Sequence, residues 1–200
     1  MEQDAIRTLK PADQITFLRG RILEAALSME AVTRYLHVRL GGRSELEAAL
    51  DTPQQFTNLI TDCKERALRC EQLTDRTRPL TLGAITSAAS LYERRNRFVH
   101  DLLRQSLTSE QRWERAKLSR PKREIGKPLP EPEPVSAEDM VDLILDLIGT
   151  TWRLRGALWS LIGPSGEISP YLTHSFEPQW DGSFLPSNDA SSPSVRESQR

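Results

Sequence analysis

DQITFLRGRILEAALSMEAVTRYLHVRL, running from Asp13 to Leu40, is the stretch that decides the fold. Its apolar residues fall at Ile15, Leu18, Ile22, Ala26, Met29, Val32, Leu36 and Leu40, at intervals of three and four. That is the period of one buried helix face, sustained for about seven turns. Asp13 reads as the N-cap. Gly41-Gly42 reads as the end, where a left-handed residue closes the last turn.

Working outward, Ser44 to Leu50 can form a short helix, and Thr52-Pro53 is a start signal, a capping hydroxyl before a first-turn proline. Phe56, Leu59, Ile60, Cys63, Ala67 and Leu68 then supply the stripe of a second helix over 53–70. Thr74 to Pro79 reads as a loop, and a third helix is expected from Thr81 through Leu91 to Arg104. Gln111 to Leu118, around Trp113, reads as a strand or a frayed turn. A proline-rich connector over 120–135 follows, expected to be extended. Ser136-Ala-Glu-Asp139 is a capping-box pattern. It opens a last helix over 136–161 with Met140, Ile144, Leu147, Ile148, Thr151, Leu154, Leu158 and Leu161 on its apolar face, at the core or across a subunit interface. The expected architecture is an all-α bundle within one domain over 1–162, with a short irregular or hairpin insertion. Residues 163–200 carry scattered Pro, Ser and Gly without a period and read as a disordered tail.

Of the 200 residues, 38% are hydrophobic and 28% charged, which suffices for a core. The formal charge of -1 excludes a global basic field, so any anion site must be a local patch. The first residues, Met1 to Arg7, lack the apolar run of a secretory signal, and no window is apolar enough for a membrane helix. Cys63 and Cys70 lie two helical turns apart, roughly 10 Å, too far to bridge one another. They read as core thiols of a cytoplasmic protein.

The chemistry concentrates in Leu91-Tyr-Glu-Arg-Arg-Asn-Arg-Phe-Val-His-Asp-Leu-Leu103. On a helix Asn96 and His100 lie one turn apart on one side, whereas Arg95 is about 140° from His100. Leu91, Phe98 and Leu102 occupy another side that can be buried. These residue types suit RNA strand cleavage. Histidine transfers protons near neutral pH, arginine matches phosphate oxygens with a forked pair of donors, and asparagine orients an imidazole or a ribose hydroxyl. One chain supplies one such histidine, so a symmetric dimer would complete the acid–base pair. The bland account is a solvated Arg/Glu-rich turn in which Glu93 pairs with Arg97.

Arg95-Asn96-Arg-Phe-Val-His100 resembles the Arg-x4-6-His motif of HEPN domains, in which a polar residue, often Asn, directly follows the arginine. The order of elements is also similar: two long amphipathic helices, the motif helix, then a final long helix. The resemblance spans about Ile15 to Ile162 and excludes the tail. It implies an all-α domain, usually a homodimer with the motifs facing each other. Many such domains are metal-independent endoribonucleases of toxin–antitoxin, abortive-infection or CRISPR-linked systems. On that reading Arg95, Asn96 and His100 are the catalytic residues, with no metal or cofactor. The partners are a second copy, RNA, and an antitoxin or other protein. Other members are non-catalytic RNA-binding or dimerising modules, which is the alternative.

His37, His100 and His174 are scattered without metal-ligand spacing, and no Gly-rich phosphate loop or Gly-x-Ser-x-Gly elbow occurs. His37 reads as a cap at the carbonyl end of the first helix. Glu24 and Glu30 read as solvated, and Trp152 and Trp159 as core or interface packing.

Overall fold

The computed structural model describes residues 9–42, 55–105, 113–116, 131–162 and 169–173. They form an all-α fold: α1 (Pro11–Leu40), α2 (Phe56–Arg69), α3 (Thr77–His100), α4 (Ala137–Ile162) and the short α5 (Pro170–Thr173). Between α3 and α4 lies a small sheet of β1 (Leu102–Gln105), β2 (Trp113–Ala116) and β3 (Glu133–Val135). The Ser44–Leu50 segment, the Thr52-Pro53 start signal and most of the connector fall outside the described residues.

Helix α1 buries Ile15, Leu18, Ile22, Ala26, Met29, Leu36 and Leu40, the residues its periodicity singled out, while Val32 is half-buried. Helix α4 is central, packing on α1 and α3, and α2 closes the other side against the same two helices. Leu18, Ile22, Met29, Leu143, Ile144, Leu147 and Leu154 are wholly enclosed. Each such side chain contributes about 1.5–3 kcal/mol by leaving water.

The helix ends explain where the elements begin and stop. Helix α1 starts at Pro11, not at an Asp13 cap; proline presets the first-turn backbone, and Asp13 sits inside that turn at the positive end of the helix. At its other end only Gly42 adopts a left-handed backbone, with φ of 62°. At Gly41 the Arg66 guanidinium lies where a Cβ would be, and that flexible side chain would have to shift to admit one. The segment 74–79 is a helix start, not a loop. Thr77 N donates to Thr74 Oγ1 (3.2 Å), Thr74 N donates to Thr77 Oγ1 (3.0 Å), and Arg78 N donates to Thr74 O (2.9 Å). Pro79 then falls where no N–H partner is required. At α4 the capping box forms: Asp139 N donates to Ser136 Oγ (3.0 Å), and Ser136 N donates to Asp139 Oδ2 (2.8 Å).

Helix α3 stops at His100, four residues short of the expected Arg104. Asp101 is extended, and the chain turns into β1, whose Leu102 pairs with Ala116 of β2. Trp113 of β2 pairs in turn with Val135 of β3. Both pairings are antiparallel, and β3 tolerates Pro134 because it is an edge strand. Within the segment read as a disordered tail, Pro170–Thr173 is helical and Leu172 is buried. The Leu172 backbone N lies 2.7 Å from where a Cβ on Gly156 would be, so α4 admits α5 only through a glycine. Trp152 stacks on Tyr171 with ring centroids 5.1 Å apart. Trp159, expected in core or interface packing, is 52% exposed and so is not a core residue.

Candidate functional site

The last turn of α3 and the small sheet form an open cleft of about 440 Å³. Asn96, Arg97, His100, Asp101, Arg115, Glu131 and Glu133 line it. Asn96 and His100 share this wall because they stand one helical turn apart, and Arg97 is only about 60° round the helix from His100. The turn is held from outside: Arg19 of α1 donates through Nη2 to the Val99 carbonyl at 2.8 Å. Asp101 N donates to the Arg97 carbonyl at 3.2 Å and closes the helix.

Arg95 does not line the cleft. Its guanidinium lies over the Tyr92 ring, 5.4 Å from the centroid, and Tyr92 stacks on Phe56 of α2 at 4.3 Å. From there Nη1 donates to Asn96 Oδ1 at 2.9 Å. With its carbonyl oxygen so engaged, Asn96 is left with amide N–H donors to offer. Arg95 Nε is buried with no acceptor among the described residues. Of the three motif residues, Asn96 and His100 therefore meet in one cleft, with Arg95 behind Asn96.

The sheet supplies residues that sequence reasoning did not select. Arg115 of β2 is only 11% exposed, with Nε 3.6 Å from Asp101 Oδ2. It also pairs with Glu133 and lies 5.5 Å from the Phe98 ring centroid. Two carboxylates thus neutralise one guanidinium. The lining holds two arginines against three acids, so the cleft as a whole is not an electropositive anion sink. Arg97 differs from Arg115: it is exposed and has no ion-pair partner among the described residues. Its signal was present, since it lies close to His100 on the helical wheel. Arg115, Glu131 and Glu133 come from a segment without periodicity; Arg115 and Glu133 reach the cleft through strand pairing, and Glu131 lies just before β3.

A second polar cluster corrects the reading of His37. Its ring is 1% exposed and lies between α1 and α2, with Nε2 2.5 Å from Asp62 Oδ2. Arg66 Nε donates to the same oxygen at 3.1 Å. The ring turns inward to join two helices and does not cap α1. Burial alone would push the Asp62 carboxyl up, but the His37 hydrogen bond and the Arg66 charge outweigh it, and the carboxyl stays below its ordinary range. Next to it Cys63 is buried, its thiol pushed up to about 12 by burial and by the Asp62 charge, which leaves it unreactive at neutral pH. Glu24 and Glu30 pair with Arg21 and Arg34 along α1.

Among the described residues no helix is long and apolar enough to cross a membrane, and no three His, Cys, Asp or Glu side chains group as metal ligands. Compared with family models, with curated proteins and with solved structures, the chain matches none.

Proposed function

We propose that this chain is a HEPN-like, RNA-directed protein that acts as a dimer and cuts single-stranded RNA without a metal. The observation behind this reading is that Asn96 and His100 share one wall of an open cleft, with Arg95 hydrogen-bonded to Asn96. In the proposed reaction His100 takes the proton from a ribose 2′-hydroxyl as that oxygen forms a bond to phosphorus. The bond from phosphorus to the 5′-oxygen breaks, and the leaving oxygen receives a proton from the His100 of a second copy. Asn96 offers its amide donors to the ribose or the phosphate. The setting would be cytoplasmic, in a toxin–antitoxin or defence system with a protein antagonist.

The acid-rich lining favours a second reading. Because Asp101, Glu131 and Glu133 outnumber the arginines, a non-catalytic helical interaction module would use the same cleft for a protein partner. An RNA-binding adaptor, the other non-catalytic form, would depend on Arg97 instead. The test is incubation of the purified chain with mixed single-stranded RNA, with and without EDTA. Cleavage that survives EDTA and leaves 2′,3′-cyclic phosphate ends is expected, and the His100→Ala variant should lack it. RNA binding without cleavage would leave the RNA-binding adaptor standing, and neither would remove every RNA-directed reading and leave only the interaction module.

A further inference from the structure

Arginine 95 is the guanidinium that motif resemblance assigns to the phosphate, yet the structure withdraws it from the cleft. Its side chain is half-buried, lies over Tyr92, and spends Nη1 on the neighbouring Asn96. It does not line the cleft, and Nη1 is already engaged by Asn96. Arg115 does line the cleft, but Asp101 and Glu133 hold it. A guanidinium between two carboxylates offers an incoming phosphate little net attraction. Arg97 has neither constraint. It lines the cleft, is exposed, stands near His100 on the helix, and has no ion-pair partner among the described residues.

We infer that Arg97 is the phosphate-binding residue of the cleft, and that Arg95 is a positioning residue acting through the Asn96 amide. This rests on the RNA-directed reading above and deepens it. The ligand group is a phosphodiester oxygen of a single-stranded RNA, met by the forked Arg97 donors beside the His100 imidazole. Arg95 holds the Asn96 carbonyl oxygen, so that the amide N–H groups are the ones presented.

Binding and catalysis separate the two roles. Each phosphate neutralised on a single strand contributes a slope of about -0.7 to the logarithm of affinity against the logarithm of salt concentration. With a 2′-O-methyl RNA, which cannot be cleaved, Arg97→Ala should flatten that slope by about 0.7, and Arg97→Lys should restore it. Arg95→Ala should leave the slope unchanged. With cleavable RNA, Arg97→Ala should raise KM with kcat largely kept, and Arg95→Ala should lower kcat, as Asn96→Ala should. Double substitution of Arg95 and Asn96 should add little to either alone, because both remove the same arrangement. A slope flattened by Arg95→Ala and untouched by Arg97→Ala would overturn the assignment and leave the RNA-directed reading intact. A parent chain that binds no RNA would overturn both.

Discussion

Two arginines at opposite ends of α3 are treated in opposite ways. At the N-terminal end, Arg78 donates to the carbonyls of Ala67 (2.9 Å), Leu68 (2.8 Å) and Leu73 (2.8 Å), and so caps the open carbonyl end of α2. Beside it Thr74 and Thr77 exchange hydrogen bonds. That end is chemically closed. At the C-terminal end Arg97 has no acceptor among the described residues, and Asn96 keeps its amide donors. That end is open, and its donors suit something from outside the chain. Arg78 is consumed for stability, as are Arg94, paired with Asp146 at 2.7 Å, and Arg95 nearer the other end, whereas Arg97 is left available.

The largest expected effect tests the open end. His100→Ala should lower RNA cleavage about 10²–10⁴-fold, the usual cost of losing one general acid or base, while Tm stays within a degree or two. A matching loss of Tm would mean that His100 belongs to the scaffold and that the contrast between the ends fails. Next comes the closed end. Arg78→Ala leaves carbonyls of α2 without their charged donor and should cost about 2 kcal/mol in denaturant unfolding. The RNA-binding salt slope should not change, because Arg78 lies at the far end of α3 from the cleft. Arg78→Lys should recover only part, since one ammonium nitrogen cannot stand in both places that the two guanidinium nitrogens occupy.

A smaller effect comes from packing remote from both ends. Gly156→Ala sets a methyl against the Leu172 backbone, which cannot give way as a flexible side chain would. About 1–3 kcal/mol is expected, the range for overpacking, with loss of the Trp152–Tyr171 stack. The near-ultraviolet circular dichroism would show the unstacking. Unchanged stability and spectrum would mean that α5 is not held on α4.

The smallest effect concerns acid. Asp62 has a folded carboxyl below its ordinary range, so it stabilises the fold above that range and loses the contribution as pH falls through the depressed value. Its side chain is 35% exposed. Screening therefore limits the expected flattening of the stability profile in Asp62→Asn to about 0.5 kcal/mol between pH 5 and pH 2. Unfolding curves collected across that interval decide it.

Long periodic segments were legible from the residues alone. Eight positions announced the α1 face because a helix buried on one side repeats its apolar residues every three or four places, and nothing non-local disturbs that. The ends of α3 were harder, for two different reasons. Pro79 looked like a breaker, but in a first turn it breaks nothing. Leu102 and Leu103 looked like one more helical turn, but backbone pairing to Ala116 and Arg115 draws them into a strand. That partner lies in a segment whose pattern does not reveal what it will pair with. The same limitation hid Arg115, Glu131 and Glu133 from the site. Arg95 is the instructive case: its angle of about 140° from His100 already set it apart on an ideal helix. What the helical wheel could not supply was the Tyr92 ring that receives it.

The most extensive helix–helix interface joins α1 to α4, the first long helix of the described chain to the last. During synthesis α1, complete at Leu40, leaves the ribosome well before the covering helix that starts at Ala137. At about 5–20 residues per second that delay lasts several seconds or more. Leu18, Ile22 and Met29 stay without their final cover throughout, and Arg19 cannot secure the Val99 carbonyl until α3 has also emerged. Closing so long a loop makes folding slow relative to a bundle of local hairpins. Assembly of the cleft is thus a late event in the life of each new chain, and a nascent polypeptide truncated before residue 137 would lack the helix that makes the most extensive interface of α1.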